Sequence, residues 1–510
     1  NGSGNVSIKS RTNLHNDTAA LIRSRSGAVS LRSTHGNIYN RYASDVESKG
    51  ATTFDAINIY NDGADIRAGG RIALTASNHL RVIEHYAERS KLVSGTDASL
   101  SIAGADGLAR KAIELNAGTS SVWTRRSDLP AGTTLSMVSA NSSLHNEHAV
   151  ITAGRSAYLA SKGEFRVTGG SLLASGVTID SGHHLYLLGG HRLTARNGAH
   201  DVSMKAFYEH ILRDSFITAG RDVILSDARN VYVYDSDIHA KTGKVDYAAR
   251  GELRHRFEDT DNSRTTAGTD VRMVAAGLLQ NYRADIVAGG NIHLESTTSH
   301  VYNNAADARA GNDLTLKANQ HMYLQDTTVA RDAALVSGRN MTISAGHTLY
   351  ADAGFSTSGG WTRFNSRLTP RFYAQVYDNI DALHFGVSVS QGTFTSDFNI
   401  DTKGAIDIYA RDGVTLKHGM RGDNWVRVRS GAAGNIRAGF LLRSDTKTLK
   451  VTGGGEITLG NASAAGDVTI ESTAGSVINT YNIASSQNLS VKAHKDIIAR
   501  HSVATRNDVL

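Results

Sequence analysis

A phrase of seven residues, repeated along the chain, limits the possible fold more than any other feature of the sequence. It reads small residue, glycine, two polar residues, then two apolar residues separated by one other. Three successive copies are Ala288–Leu294, Ala310–Leu316 and Ser337–Ile343. Their glycines at 289, 311 and 338 are 22 and 27 residues apart. Self-similarity at a period near 20 residues is typical of a solenoid.

The apolar–x–apolar ending of the phrase predicts a β-strand. Side chains alternate between the two faces of a strand, so Ile292 and Leu294 point one way and His293 the other. A helix would need apolar residues three and four positions apart. We therefore expect each repeat to supply short strands with one apolar side. The side chains expected in the core of this stretch are Ile292, Leu294, Leu314 and Leu316.

A second signal, an apolar residue, any residue and then asparagine, falls between these phrases. Its copies are Leu14–Asn16, Ile38–Asn40, Ile59–Asn61, Leu144–Asn146, Leu279–Asn281 and Val301–Asn303. Glycine takes positive φ without a steric clash, and asparagine tolerates the left-handed conformation. We therefore expect both residues at the corners between strands. Stacked coils would align the asparagine amides in a ladder.

Composition agrees with a sheet-rich chain and excludes several classes of site. The 510 residues include 50 glycines, only 2 prolines and no cysteine. Proline is rare inside sheet ladders because it cannot donate a hydrogen bond. The lack of cysteine excludes disulfides and thiolate metal sites. No apolar run is long enough to span a membrane, and a net charge of +6 without a dense basic and aromatic cluster does not indicate nucleic-acid binding.

The predicted fold is all-β, a right-handed parallel β-helix solenoid with coils of about 21 residues. A solenoid core grows lengthwise, so a chain of this length does not have to divide into globular domains. We assign 1–354 and 401–510 to β-helix repeats, and 355–400 to an irregular excursion rich in aromatic residues and arginine. Because repeats reach both ends, we expect the chain to be part of a longer solenoid.

The glycine phrases and the apolar–x–Asn segments resemble the filamentous haemagglutinin-like large exoproteins of two-partner secretion. They are similar also to the repeat stalks of contact-dependent growth inhibition exoproteins. The resemblance covers nearly the whole chain except 355–400. The Asn-Pro-Asn motifs of the family's secretion domain are absent, as is the Val-Glu-Asn-Asn motif that precedes a toxin domain. The resemblance thus implies a stalk or binding segment without either of those domains.

Several further expectations follow from this resemblance. It implies an extracellular protein at the bacterial cell surface, acting as an adhesin in cell adhesion and virulence and exported through an outer-membrane transporter partner. The expected ligand is a host or neighbouring-cell surface receptor or an anionic glycan. Six lysines and arginines against one acid between Lys9 and Arg41 favour either a solvated face or such a glycan site. The main alternative is a receptor-binding stalk that delivers a growth-inhibition toxin.

A β-helix polysaccharide-degrading enzyme is the second alternative. Its chemistry needs two carboxylates held together, which Asp235 with Asp237, or Asp259 with Asp261, would supply on one strand face. Such pairs arise readily in polar strands, and no further catalytic cluster recurs at coil spacing. The histidines are scattered rather than grouped at ligand spacing. We expect no enzymatic activity, no cofactor and no metal.

Two stretches are the candidates for ligand binding. The tripeptide Arg421-Gly422-Asp423 is either an ordinary turn or an exposed loop of the kind that integrins recognise. The 355–400 excursion departs from the regular coil, and its aromatic and arginine side chains are typical of interface hot spots. The residues predicted to bind there are Trp361, Arg363, Arg367, Arg371 and Tyr373.

Overall fold

The chain folds as a β-solenoid of parallel sheets, with successive turns roughly 21 residues apart. This computed structural model describes residues 3–68, 72–83, 92–94, 99–101, 112–117, 122–125, 128–131, 134–139, 141–196, 200–258, 263–325, 334–352, 354–372 and 380–505. Among these residues every regular element is a strand, and no helix is long and apolar enough to cross a membrane. The predicted all-β solenoid is confirmed.

The first compact unit comprises residues 1–268. Each turn contributes three strands, and the strands of successive turns stack in three columns. Two long strands, Thr52–Asp62 and Ile72–Ile83, each belong to both the first and the second column. The first column further contains Val6–Ser10, Val29–Ser33, Ser99–Ser101, Ala112–Ala117, Thr134–Ser139, Ser156–Ser161, Gly176–Ser181, Val202–Ala206, Val223–Ala228 and Val245–Ala249. The second contains Leu14–Asp17, Asn37–Arg41, Val122–Arg125, Leu144–Glu147, Phe165–Thr168, His184–Leu188, Glu209–Arg213, Asn230–Tyr234 and Leu253–Arg256. The third contains Leu21–Ser24, Asp45–Ser48, Asp65–Ala68, Leu92–Ser94, Asp128–Ala131, Val150–Ala153, Ser171–Ala174, Arg192–Ala195, Phe216–Ala219, Asp237–Ala240 and Arg264–Ala267.

The second unit comprises residues 269–510 and repeats the three-column plan. Two long strands, Gly354–Ser366 and Ile380–Val389, run from the third column into the first. The first column further contains Val271–Ala275, Ile292–Ser296, Leu314–Ala318, Met341–Ala345, Ile406–Ala410, Val426–Ser430, Leu449–Gly453, Val468–Ser472 and Leu489–Ala493. The second contains Leu279–Tyr282, Val301–Asn304, Met322–Gln325, Leu349–Asp352, Arg371–Phe372, Thr393–Ser396, Gly413–Leu416, Asn435–Ala438, Ile457–Leu459, Val477–Asn479 and Ile497–Ala499. The third contains Asp285–Ala288, Ala308–Ala310, Ala334–Ser337, Ile400–Thr402, Met420–Gly422, Leu442–Ser444, Ala462–Ala464, Ile483–Ser485 and Val503–Thr505.

The predicted strand register is confirmed in the repeat that carries the glycine phrase. Ile292 pairs with Leu314 and Leu294 with Leu316 on adjacent parallel strands, and all four side chains are buried. The residues between them, such as Thr315, lie on the outer face and are partly exposed. Inward apolar residues therefore meet the same residue class in the next coil, which is how a solenoid extends its core.

We had expected positive φ to require glycine at these corners. The structure shows instead that the backbone of the adjacent coil lies too close for a side chain. A Cβ on Gly311 would lie 2.1 Å from the carbonyl oxygen of Gly289, and one on Gly338 would lie 2.0 Å from that of Gly311. Positive φ occurs at other glycines, such as Gly169 and Gly189, and at non-glycine residues such as Thr18 and Tyr42. Stacked corners thus approach one another too closely for a side chain.

The asparagine ladder is confirmed, although the asparagines themselves stay in strands. The Nδ2 of Asn16 donates to the Oδ1 of Asn40 at 2.6 Å, and Asn40 donates in turn to Asn61 at 2.5 Å. Asn281 and Asn303 repeat this contact at 2.8 Å in the second unit. These amides are buried, so each bond satisfies polar groups that would otherwise destabilise the core.

The expectation that 355–400 leaves the solenoid holds only in part. The register shifts between Thr357 and Trp361, but most of the described residues of this segment form strands that pair in parallel with their neighbours. Its buried aromatic rings pack inside the coils. Phe372 lies edge-on to Phe364 and to Phe394, with ring centroids 5.3 and 5.9 Å apart. In this segment, therefore, large aromatic side chains help to fill the same solenoid core.

Candidate ligand-binding groove

Trp361, Arg363 and Asn365 lie side by side on the outer face of the second unit. Alternation along their strand buries Thr362 and Phe364 between them, at 0% and 1% exposure. The same rule that fills the core therefore places an aromatic, a cationic and an amide side chain on the surface.

Parallel pairing aligns these side chains with outward residues of the next three coils. Arg363 pairs with Gly386, and Asn365 pairs with Ser388. The two complete outward rows are Arg363, Gly386, Asp407, Arg427 and Asn365, Ser388, Tyr409, Arg429. Together with Trp361 and Trp425 they line a depression of about 580 Å³, which we call the tryptophan groove.

Two indole rings converge at the edge of the tryptophan groove. The rings of Trp361 and Trp425 have centroids 5.8 Å apart at an interplanar angle of 44°, and Trp361 also stacks on His384 at 5.0 Å. Each indole carries a guanidinium on its face, Arg363 at 4.5 Å and Arg427 at 4.8 Å. Cation–π contact holds these arginines in place and reduces the entropy that they lose when they bind a ligand.

Gly386 forms the floor of the tryptophan groove. A Cβ at this position would lie 3.5 Å from the side chains of Trp361 and Arg363 and from the carbonyl oxygen of Asp407. These are ordinary contact distances, so the backbone itself does not require glycine here. The missing side chain instead leaves the space between the Arg363 and Asp407 strands open.

The tryptophan groove carries a net positive charge. Asp407 accepts hydrogen bonds from Arg429 at 3.0 and 3.2 Å and lies 3.8 Å from Arg427. Arg363 makes no ion pair or hydrogen bond with any residue that the structure describes. The buried Nε of Arg429 also has no acceptor among these residues. Three arginines against one carboxylate therefore favour an anionic ligand.

His384 contributes an uncharged ring beneath Trp361. Its Nδ1 accepts a hydrogen bond from the backbone N–H of Ala405 at 2.8 Å, which requires that nitrogen to be unprotonated. Burial lowers the pKa of His384, and the positive charge of Arg363 lowers it further. The ring is neutral at pH 7 and acts as a stacking surface.

Arg367 and Arg371 do not line the tryptophan groove. Arg367 donates its Nε to Gln391 at 2.9 Å, and Arg371 lies over the ring of Tyr350 at 5.6 Å. Tyr373 falls outside the described residues. The structure therefore unites two of the five predicted residues, Trp361 and Arg363, in one site.

The Arg421-Gly422-Asp423 tripeptide is not an exposed loop. Arg421 and Gly422 belong to the strand Met420–Gly422, in which Gly422 is buried. The guanidinium of Arg421 is 2.6 Å from the carboxylate of Asp445 and 3.8 Å from that of Asp401. Binding through this tripeptide stays a prediction, but its geometry is that of a strand and a corner.

Three of the six lysines and arginines between Lys9 and Arg41 form ion pairs with acids. Arg41 binds Asp17 at 3.0 Å, and Arg32 lies 3.1 Å from Asp55. Arg23 lies 2.5 Å from Glu47. The other three basic residues of this stretch form no ion pair with a described residue, so an anionic-glycan site here stays a prediction.

The carboxylate pair considered for catalysis serves a structural role where it is described. Asp235 has a φ of 45° at a corner and accepts a hydrogen bond from the backbone N–H of Glu258 at 2.7 Å, whereas Asp237 begins the next strand. The two residues do not share a strand face. Asp259 and Asp261 fall outside the described residues. In the part of the chain that is described, no group of acidic and histidine side chains is arranged to hold a metal.

Sequence reasoning missed the partners that complete the tryptophan groove, among them Gly386, Asp407, Tyr409 and Trp425. Trp425 lies two residues after the Arg421-Gly422-Asp423 tripeptide in the sequence. The signal that identifies these residues is the coil register, which carries Arg363 to Gly386, then to Asp407 and Arg427.

No family model, characterised protein or solved structure matches this chain. The geometry of the tryptophan groove is therefore the basis on which a function is assigned.

Proposed function

We propose that this chain is the binding segment of a secreted, cell-surface adhesin, and that the tryptophan groove holds an anionic glycan of the target surface. The observation that carries this proposal is the arrangement of two indoles and three arginines around an open floor at Gly386. A secreted adhesin of this kind would reach the surface through an outer-membrane transporter partner.

The chemistry of the groove suits a charged sugar in three respects. Indole faces stack on the apolar face of a pyranose, and Trp361 and Trp425 supply two such faces. Arg363, held over Trp361, supplies a fork of donors for a carboxylate or sulfate. Side chains such as Asn365 and Ser388 supply hydrogen-bonding groups for sugar hydroxyls.

The solenoid supports an adhesive function because it displays side chains on many equivalent outer positions. A single groove with a few polar contacts binds weakly, but several copies at a cell surface bind together through multivalency. The groove has one acidic side chain, Asp407, among its lining residues. Glycoside hydrolysis uses two carboxyl groups, so binding without cleavage is the favoured reading.

The test is titration of the purified chain with a glycosaminoglycan octasaccharide that bears carboxylates and sulfates, followed by calorimetry. We expect Arg363→Ala to weaken binding by about 10-fold or more, because a charge-assisted hydrogen bond contributes about 1.5–3 kcal/mol. Raising the salt concentration should weaken the binding of the unmodified protein.

Arg272→Ala is the matched control, because Arg272 faces outward in the same column of a regular coil. It should leave the affinity unchanged. Equal effects of Arg272→Ala and Arg363→Ala, or equal affinity for a neutral octasaccharide, would refute the groove as an anionic-glycan site.

A further inference from the structure

A second aromatic site lies at a corner of the second unit, away from the residues that line the tryptophan groove. Between the second and third columns, five coils contain a three-residue corner whose middle residue is aromatic or histidine. In coil order these middle residues are Phe398, His418, Phe440, Tyr481 and His501. The coil between Phe440 and Tyr481 differs, because only Gly460 and Asn461 join its two strands.

The rings on either side of this short corner are stacked in two pairs. His418 and Phe440 have centroids 5.8 Å apart with an interplanar angle of 8°, and Tyr481 and His501 have centroids 5.6 Å apart at the same angle. Both pairs thus run along the stacking direction of the coils. Phe440 and Tyr481, which border the short corner, are 57% and 53% exposed.

The short corner leaves a slot between Phe440 and Tyr481, which we call the corner slot. Adjacent strands are about 4.8 Å apart, so two coil steps separate these ring layers by about 9–10 Å. The floor is bare because a Cβ on Gly460 would lie 2.4 Å from the carbonyl oxygen of Gly439. The backbone therefore excludes a side chain at Gly460, and Asn461 is the only side chain in this two-residue corner.

The spacing of the corner slot selects the thickness of a ligand. A flat aromatic ring in contact on both faces needs about 7 Å, since carbon atoms in contact lie 3.5–4.0 Å apart. A pyranose chair is thicker, because hydrogens project from both of its faces, and fits about 9 Å. Aromatic residues on both sides would then hold one sugar ring by its two apolar faces.

Polar groups at the slot suit sugar hydroxyls. The Oδ1 of Asn461 accepts a hydrogen bond from the backbone N–H of Asn482 at 3.2 Å, which leaves its Nδ2 directed elsewhere. That nitrogen has no acceptor among the described residues. A separate furrow of about 460 Å³ lies on the same coils, and its lining includes Arg443, Asp445, Ser463 and Ala484.

From these observations we infer that the corner slot binds a neutral pyranose residue of a polysaccharide, between Phe440 and Tyr481. Neither ring stack contains an arginine, a lysine or a carboxylate, in contrast with the tryptophan groove. The two sites therefore recognise different sugars and are independent of each other.

The test uses the full chain and three neutral probes, cellohexaose, mannohexaose and chitohexaose, with binding followed by calorimetry and by intrinsic fluorescence. At least one probe should bind with a millimolar or lower Kd. Phe440→Ala and Tyr481→Ala should each weaken that binding by at least 10-fold. Both side chains are exposed, so both variants should fold like the unmodified chain.

A one-residue insertion of histidine between Gly460 and Asn461 gives the sharpest test. It restores a three-residue corner and places a ring in the slot, so sugar binding should be lost while the fold is retained. Phe207→Ala, which removes an aromatic side chain that is 53% exposed in the first unit, is the control and should bind normally. Arg363→Ala should also bind the neutral probe normally, which separates this site from the tryptophan groove.

Failure of all three probes to bind would overturn the inference, as would binding that survives both Tyr481→Ala and the histidine insertion. Self-association of the chain that Phe440→Ala abolishes, without sugar binding, would assign the corner slot to a protein contact instead and would likewise overturn it.

Discussion

The coils around Leu314 and the coils around Phe385 share one parallel register but present different outer surfaces. In the first set Glu295 accepts hydrogen bonds from Lys317 at 2.7 Å and from His293 at 2.9 Å, so outward charges cancel locally. In the second set three arginines face one carboxylate beside two indoles. The comparison shows that inward positions determine the coil, whereas outward positions vary without disturbing it.

The largest expected effect follows from placing a charge inside a regular coil. Leu314 is fully buried and pairs with Ile292 and Met341 in the adjacent coils. Leu314→Asp should destabilise these coils by at least about 4 kcal/mol, because an unpaired carboxylate cannot be solvated there. Amide hydrogen exchange of the strands on both sides should rise sharply.

Thr315→Asp is the matched control, since Thr315 lies one residue further along on the outer face. It should change the stability by less than about 0.5 kcal/mol. If both substitutions accelerated hydrogen exchange equally, the assignment of Leu314 to the core and of Thr315 to the outer face would be wrong.

The next largest effect is expected from Phe364, an inward-facing residue of the strand that carries the tryptophan groove. Phe364 is 1% exposed and contacts Phe372 and Phe385 at 5.3 and 5.8 Å between ring centroids. Phe364→Ala should destabilise the surrounding coils by about 3–5 kcal/mol, because it removes a buried ring and leaves a cavity. Hydrogen exchange and the urea midpoint measure this loss, and unchanged values would show that these rings do not form part of the core.

Trp361→Ala should have the opposite pattern from Phe364→Ala. Trp361 is partly exposed, so its removal should change stability by less than about 1 kcal/mol. Affinity for the anionic octasaccharide should fall by roughly 10- to 30-fold, because one stacking face is lost together with the support for Arg363. Titration calorimetry of the folded variant measures the fall. Full affinity in that variant would remove Trp361 from the site.

The fold was predictable because its signals are local. Alternation at Ile292 and Leu294, and the recurrence of asparagine after an apolar residue, are readable within a few residues. The tryptophan groove was only half predictable, because it depends on the register between coils. From Arg363 to Gly386, Asp407 and Arg427 the steps are 23, 21 and 20 residues. Corner lengths vary from coil to coil, so a fixed period does not align these residues.

In the 355–400 segment, composition alone does not show which aromatic residues face the core and which face outward. Its aromatic residues alternate between two destinations, with Phe364 and Phe385 inside the coils and Trp361 on the outer face. Aromatic residues that cluster in the sequence are therefore divided in the fold between the core and the outer face. The sequence likewise does not show that strand pairing buries the glycine of the Arg-Gly-Asp tripeptide, and binding through it stays a prediction.

The smallest expected effect concerns the pH dependence of the groove. Burial and the charge of Arg363 lower the pKa of His384 in the folded state below its ordinary value of 6.5. The neutral ring therefore stabilises the fold above the unfolded-state pKa, and this stabilisation is lost as pH falls through 6.5 toward the folded-state pKa. Protonation would also convert the Nδ1 that accepts from Ala405 into a donor.

His384→Asn isolates this effect, because an amide oxygen can still accept from the Ala405 N–H but does not titrate. Between pH 7.5 and 5.5 the unmodified chain should lose stability relative to this variant, by less than about 1 kcal/mol since the ring is partly exposed. Local hydrogen exchange of the 384–410 coil is the measurement. Arg363→Ala should reduce the loss, because it removes the nearby charge that opposes protonation. A relative gain of stability at pH 5.5 would mean that His384 is charged in the groove, and the site would then attract anions through four cations rather than three.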